Sequence, residues 1–353
     1  MSEKAPTAAG QPPADEHARV EAGASAAGAA RPRFALFGRA IEVRNFGLLL
    51  VLVILAVIGA ATAPDTFLRT NNVLNILQTA SVIGVVTVGM TFVIIGGGID
   101  LSVGALVALA GVWCTTVATQ DFGALGMLFT ALVVGAAAGL VNGVLIAYGG
   151  LVPFIVTLAM LVGARGLAEQ ISNRQSQIVR VREITDIAAQ KIIGIPALVW
   201  ILAVVVAIGW VVLNRTTFGR RTFAIGGNPE AARLAGINVR RHTMLLYVLS
   251  GLCCGIAALM LVARTNTGAA SAGSLYELDA IAAVIIGGTL LTGGRGSLVG
   301  SVLGVLVFTT ITNIFVLNNL STPVQNIAKG AIIIAAVLLQ RRTSGAPGRI
   351  RAT

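Results

Sequence analysis

Residues 46–63 read FGLLLVLVILAVIGAATA, eighteen positions without a charge or a proline. As a helix this run would be about 27 Å long, close to the ~30 Å hydrocarbon core of a bilayer. A helix on the surface of a soluble protein keeps a polar face; this one has none, so it belongs in lipid. Nine further apolar runs follow, at 73–95, 104–119, 123–148, 153–170, 197–213, 243–263, 278–292, 296–317 and 323–339. The expected fold is an all-α integral membrane bundle of about ten spans.

Composition agrees. Of 353 residues, 56% are hydrophobic and 11% charged, against roughly 25% charged in soluble domains. The 42 glycines suit helices that approach closely inside a bilayer. The net charge of +11 does not mark a nucleic-acid binder, because sixteen of the 25 Lys and Arg lie in 1–44, 214–242 and 341–353, flanking the apolar runs. A nucleic-acid binder gathers them on a folded face among stacking aromatics. Here they follow the positive-inside rule.

With the N-terminus in the cytoplasm, ten spans bring 214–242 and the C-terminus to the same side. Loop 171–196 then lies outside, its four Lys/Arg offset by Glu183 and Asp186. Residues 1–44 are expected to form a disordered cytoplasmic tail, because 1–33 is rich in Ala, Gly and Pro and lacks the apolar core of a signal peptide. Residues 45–340 form the transmembrane domain and 341–353 a cytoplasmic tail.

The strongest local signal lies in the basic loop: Gly226-Gly227-Asn228-Pro229-Glu230-Ala231-Ala232-Arg233-Leu234-Ala235-Gly236. Asn228 suits an N-cap, Pro229 the first helical position, and Glu230 the positive helix end. Gly236 suits the left-handed residue that ends a helix. The spacing predicts a helix over about 229–235, with Ala231, Leu234 and Ala235 on one face. So short a helix is marginal in water. It is either an ordinary capped loop helix or a knob that a cytosolic partner grips.

Two glycine-rich breaks look related: Gly97-Gly98-Ile99-Asp100-Leu101-Ser102-Val103-Gly104 and Gly293-Gly294-Arg295-Gly296-Ser297-Leu298-Val299-Gly300. Arg69-Thr70-Asn71 recurs similarly as Arg264-Thr265-Asn266. Internal repeats and interrupted helices mark transport paths.

The segment Gly227–Ile237 resembles the cytoplasmic coupling motif of permeases in monosaccharide ABC importers of the ribose, xylose and arabinose type. Several stretches resemble the same family in order: Gly97–Gly104, Pro153–Leu158, Arg165-Gly166, Tyr276–Ala283 and Gly287-Gly288-Thr289. The likeness covers about 72–340. One departure is Leu290-Leu291-Thr292, where related permeases often carry a smaller, serine-containing stretch. The resemblance implies a coupling helix at about 228–236, with Gly227, Asn228, Pro229, Glu230, Ala231, Ala232, Arg233, Leu234 and Gly236 meeting a cytosolic ATPase. It also implies a periplasmic or lipid-anchored sugar-binding protein and a second permease copy, identical or related. The chain would sit in the bacterial inner membrane, surrounded by lipid.

No GxxxxGK[ST] loop is present, so ATP hydrolysis is expected on another polypeptide. No catalytic residue, cofactor or metal is expected. Cys114, Cys253 and Cys254 lie in apolar runs without ligand spacing, and His17 and His242 have no evident catalytic partner.

Candidates for the path or gate are the polar residues inside the apolar runs, because each is costly in lipid. Asp100 and Ser102 lie in the first break, where Asp100 either caps the following helix or holds the gate. Asn142 would contact substrate or bond another helix. Glu277 and Asp279 open the eighth span, beside Tyr276, which would stack on a sugar or anchor at the interface. Arg165 and Glu169, four apart, are expected to pair. Loop 171–196, with an amphipathic stretch at 185–193, is a docking surface or a solvated loop.

An ion-driven secondary transporter would carry carboxylates deep in its spans, and only Asp100 qualifies. A membrane enzyme would need a catalytic cluster, which is absent from the sequence. Permeases for branched-chain amino acids are the nearest rival, and the motifs match the sugar branch better.

Overall fold

A computed structural model of the chain describes residues 33–343, with side chains over 45–338. The chain divides into two units, residues 1–43 and 44–353, and the fold below is that of the second. Residues 1–32 of the expected N-terminal tail and 344–353 of the C-terminal one lie outside the described residues.

Helices dominate. α1 (Arg33–Thr62) and α2 (Thr70–Ile95) precede a short α3 (Val103–Cys114), a one-turn α4 (Val117–Gln120), α5 (Gly123–Ala147) and α6 (Pro153–Ser172). An amphipathic α7 (Arg182–Ala189) lies in the loop before α8 (Ala197–Arg215). Then come α9 (Thr217–Gly227), α10 (Pro229–Leu234), α11 (Val239–Thr265), α12 (Tyr276–Ile286), α13 (Leu298–Leu317) and α14 (Thr322–Thr343). Two-residue strands make two small antiparallel pairs, β1 (Gln177–Ile178) with β4 (Thr267–Gly268) and β2 (Lys191–Ile192) with β3 (Ile195–Pro196).

Among the described residues, seven helices are long and apolar enough to cross a membrane: α1, α2, α5, α6, α8, α11 and α13. This is a polytopic, all-helical protein. The expected runs at 104–119, 278–292 and 323–339 fall instead on α3, α12 and the apolar part of α14, which are shorter. The eleven residues of α12 reach only about 17 Å, because Gly287 and Gly288 stop the helix inside an apolar run.

The bundle is built around α2 and α11. Within α2's apolar window 89% is buried, against 11% in α1, which leaves most of its apolar surface uncovered by the rest of the bundle. The closest helix pair is α5 with α11. Met127, Ala131, Gly135, Gly139 and Gly143 recur every fourth residue on α5's buried face, and Gly251 and Gly255 meet them on α11. A Cβ on Gly139 would stand 2.3 Å from the Tyr247 carbonyl oxygen. Lipid tails are as apolar as leucine, so such pairs are held by close backbone packing rather than by hydrophobic burial.

Both helix breaks open with the same hydrogen-bonded turn. After α2, Gly97 adopts φ +86 and donates to the Ile94 carbonyl, while Gly98 donates to Val93. After α12, Gly288 adopts φ +77 and donates to Ile285, while Thr289 donates to Val284. This is the Schellman ending, which needs a left-handed residue. Gly97 thus corresponds to Gly288, not to Gly293 as the glycine pairs suggest, and the second break is longer (287–297 against 96–102). The Arg-Thr-Asn recurrence is not structural either: Arg69 precedes α2, whereas Arg264 and Thr265 end α11.

Candidate functional site

α10 is fixed at both ends by its own sequence. The Asn228 Oδ1 accepts from the amides of Glu230 at 3.1 Å and Ala231 at 3.0 Å, and Pro229 fills the first turn. At the other end Gly236, at φ +82, donates to Arg233, and Ile237 to Ala232. Arg233 Nε lies 3.2 Å from both Glu230 oxygens. Hydrogen bonding from Arg233 holds the Glu230 carboxyl below its ordinary value, so the pair stays ionised at neutral pH. Ala232 packs inward, while Leu234 is 76% exposed and Ala231 and Ala235 lie open beside it. The face foreseen from sequence spacing is exposed among the described residues.

The helices flanking α10 are clamped together. Thr222 Oγ1 of α9 and His242 Nε2 of α11 share a hydrogen bond of 2.8 Å, and the Phe218 ring lies 4.4 Å from the imidazole. His242 is therefore a structural strut between α9 and α11.

At the base of α10, three glycine segments converge. A Cβ on Gly226 would stand 1.8 Å from the Ile95 carbonyl oxygen and 2.6 Å from the Gly294 amide. Gly293, at φ +82, lies against Gly97 and the Gly226 carbonyl. The Gly294 amide donates to the Ile95 carbonyl at 2.8 Å, satisfying one of the acceptors that a helix end leaves open. A cleft of about 330 Å³ opens beside this junction, bounded by Gly97, Pro153, Pro229, Thr243, Tyr247 and Thr292.

Asp100, Ser102 and Asn142 come together in one buried network. Asp100 Oδ1 accepts from the Ser102 amide at 3.0 Å and its hydroxyl at 2.6 Å. Ser250 of α11 donates to Asp100 Oδ2 at 2.9 Å, and Asn142 Nδ2 of α5 donates to Ser102 Oγ at 3.0 Å. All four residues are buried. Tyr247 adds a 3.3 Å hydrogen bond to the Ile99 carbonyl. Asp100 thus turns the chain at the break and pins it to α11. The capping bond reaches Ser102, one residue short of the first helical position, Val103.

Tyr276, Glu277 and Asp279 form a second group on α12. Asp279 pairs with Lys329 of α14 at 3.1 Å, the two side chains only 9% and 17% exposed. Lys329 also lies 5.3 Å from the centre of the Phe308 ring. Glu277 Oε2 is buried without a hydrogen-bond partner and lies over Gly104, where a Cβ would collide with it. Tyr276 is half-buried, packed against the hydrophobic core. Arg165 does not pair with Glu169; it donates to the carbonyls of Ala270 and Ala272 in the loop before α12, and Glu169 meets Arg174 at 3.4 Å instead.

Lys329→Met should destabilise the folded protein by about 3–5 kcal/mol, because it strands Asp279 as an unpaired buried charge. Adding Asp279→Asn should restore most of the loss. Thermal melting of the two single variants and the double variant in one detergent checks this, and additive losses would contradict it.

Loop 171–196 is tied down. Gln177 Oε1 accepts from Thr115 at 2.8 Å, Gln120 Oε1 from the Arg180 amide at 2.7 Å, and Gln78 Nε2 donates to Ala188 at 3.3 Å. Sequence reading quoted Gly226 in the basic-loop motif without giving it a role of its own, and it missed Ser250, Tyr247 and Lys329. Lys329 carried a signal, a lone cation within an apolar run; Ser250 and Tyr247 carried none.

Interrupted helices, close glycine crossings and an exposed capped helix at one end define a membrane transport protein. The chain belongs to the family described as the branched-chain amino acid transport system permease component, whose model matches residues 72–337. It is 38% identical over 310 residues to the ribose import permease protein of Escherichia coli strain K12, covering 87% of this chain and 96% of that one. It is 40% identical over 309 residues to the ribose import permease protein of Bacillus subtilis, covering 86% and 94%. The L-arabinose ABC transporter permease protein of Azospirillum brasilense is 35% identical over 299 residues, covering 85% and 88%. No solved structure matches the chain.

Proposed function

We propose that this chain is the membrane-conducting subunit of an ATP-driven importer of a monosaccharide in the bacterial inner membrane. The observation that carries this reading is α10, a capped helix whose apolar face of Ala231, Leu234 and Ala235 is exposed. We assign Gly227, Asn228, Pro229, Glu230, Ala231, Ala232, Arg233, Leu234 and Gly236 to contact with a cytosolic ATPase. The extent of the match to sugar permeases supports the substrate class, although the family description names amino acids.

A neutral sugar needs only hydroxyl-matching groups and modest affinity, since a binding protein outside the membrane supplies selectivity. Asp100, Ser102, Asn142, Tyr276, Glu277 and Asp279 are proposed to shape the path or its gate, and loop 171–196 to face the binding protein.

In this reading α3, α12 and α14 complete ten spans, with the two breaks spanning the missing depth as unwound chain. Both termini and α10 are then cytoplasmic, and a second permease copy completes the path. Titration calorimetry on the binding protein that supports transport through this chain tests the substrate class: heat with a pentose or hexose and none with leucine is expected, and the reverse would overturn the sugar reading.

A further inference from the structure

We propose that the contact of Gly97, Gly226 and Gly293-Gly294 is a joint that carries movement of α10 to both interrupted helices at once. The inference rests on the reading of α10 as the coupling helix and adds how its displacement enters the membrane.

The geometry provides a short route. Gly226 lies two residues before the Asn228 cap, so any shift of α10 pulls on it directly. Its α-carbon is wedged between the end of α2 and the second break, where a Cβ would stand 1.8 Å from the Ile95 oxygen and 2.6 Å from the Gly294 nitrogen. The second break is also bonded to the end of α2, by the Gly294 amide to the Ile95 carbonyl at 2.8 Å, and Gly293 lies against Gly97 of the first break. The first break cannot shift at this point without displacing the second.

What lies around the joint permits motion. The neighbouring cleft of about 330 Å³ is walled by both breaks, through Gly97 and Thr292, and by the base of α10, through Pro229. From the first break, Asp100 and Ser102 lead to α5 and α11 through Asn142 and Ser250. The second break continues into α13 at Leu298. Movement entering at Gly226 therefore reaches α2, α3, α12 and α13 together. The two breaks act as one gate rather than two.

The test uses the full transporter, this chain with its ATPase and sugar-loaded binding protein, in nanodiscs. Gly226→Ala should lower the ratio of sugar-stimulated to unstimulated ATP hydrolysis at least tenfold, to near one. A purely structural role would lower yield or melting temperature but keep that ratio in the protein that folds. Spin labels on Arg221→Cys in α9, Thr292→Cys in the second break and Val117→Cys at the opposite end supply a second measurement that leaves every glycine of the joint in place. The native cysteines are buried and stay unlabelled.

Between the nucleotide-free and ATP-trapped states, the Arg221–Thr292 separation should hold while the Arg221–Val117 separation changes. A wild-type ratio in Gly226→Ala, or an Arg221–Thr292 separation that changes as much as Arg221–Val117, overturns the joint. If Leu234→Asp abolishes stimulation while Gly226→Ala does not, only the joint is lost. Full stimulation in Leu234→Asp would overturn the reading of α10 and the joint with it.

Discussion

Leu234→Asp is expected to cut substrate-stimulated ATP hydrolysis in the assembled transporter at least tenfold while the permease stays folded. Leu234 is 76% exposed on a helix of six residues. Burying a leucine against a partner contributes about 1.5–3 kcal/mol, and setting a carboxylate there instead costs more. At about 1.4 kcal/mol per factor of ten, a loss of tenfold or more follows. The chain's own fold gives up nothing, because the side chain touches little of it. Glu230→Arg should have a milder effect: it breaks the contact with Arg233 and puts a cation at the positive helix end. Size-exclusion profiles and ATPase assays with the sugar-loaded binding protein read both. Wild-type stimulation in Leu234→Asp would remove α10 from the coupling route.

The second large effect is on folding. Gly251→Leu should destabilise the protein by about 3 kcal/mol or more, because the Cβ alone would stand 2.1 Å from the Gly135 carbonyl oxygen. The obstruction is backbone, so no rotamer relieves it. Parting α5 from α11 would also pull Asn142 away from Ser102 and Ser250 away from Asp100, so damage spreads from the crossing into the first break. Gly163→Leu on α6, where nothing lies within 4 Å of the added carbon, is the matched comparison. Equal melting temperatures for the two variants would show that the crossing is not tightly packed.

Parts of this architecture were legible in the sequence because their causes are local. Asn228, Pro229 and Gly236 specify α10 through bonds spanning two to four residues. Long apolar runs specify the long helices through length alone. The breaks were legible as glycine clusters, but not their correspondence, since the glycine that ends a helix is decided by hydrogen bonds. Gly288 makes those bonds after α12, and Gly293 does not. The same cause trimmed the expected span at 278–292 to α12. Asp100 and Asn142 stood out as polar residues in apolar surroundings. Their link through Ser102 and Ser250 depends on how α5 and α11 cross, which no spacing encodes. Arg165 and Glu169 show the converse: helical spacing suggested a pair, and the carbonyls of a distant loop claimed the arginine.

The central claim is that this chain conducts a sugar passively and draws its energy from an ATPase on a separate polypeptide. The most direct measurement is uptake of labelled monosaccharide into proteoliposomes holding this chain, its ATPase and its binding protein. Uptake is expected to require ATP, to vanish when the ATPase is left out, and to persist when ionophores collapse the proton and sodium gradients. Uptake by this chain alone under an ion gradient, or ATP-dependent uptake of leucine and of no sugar, would contradict it.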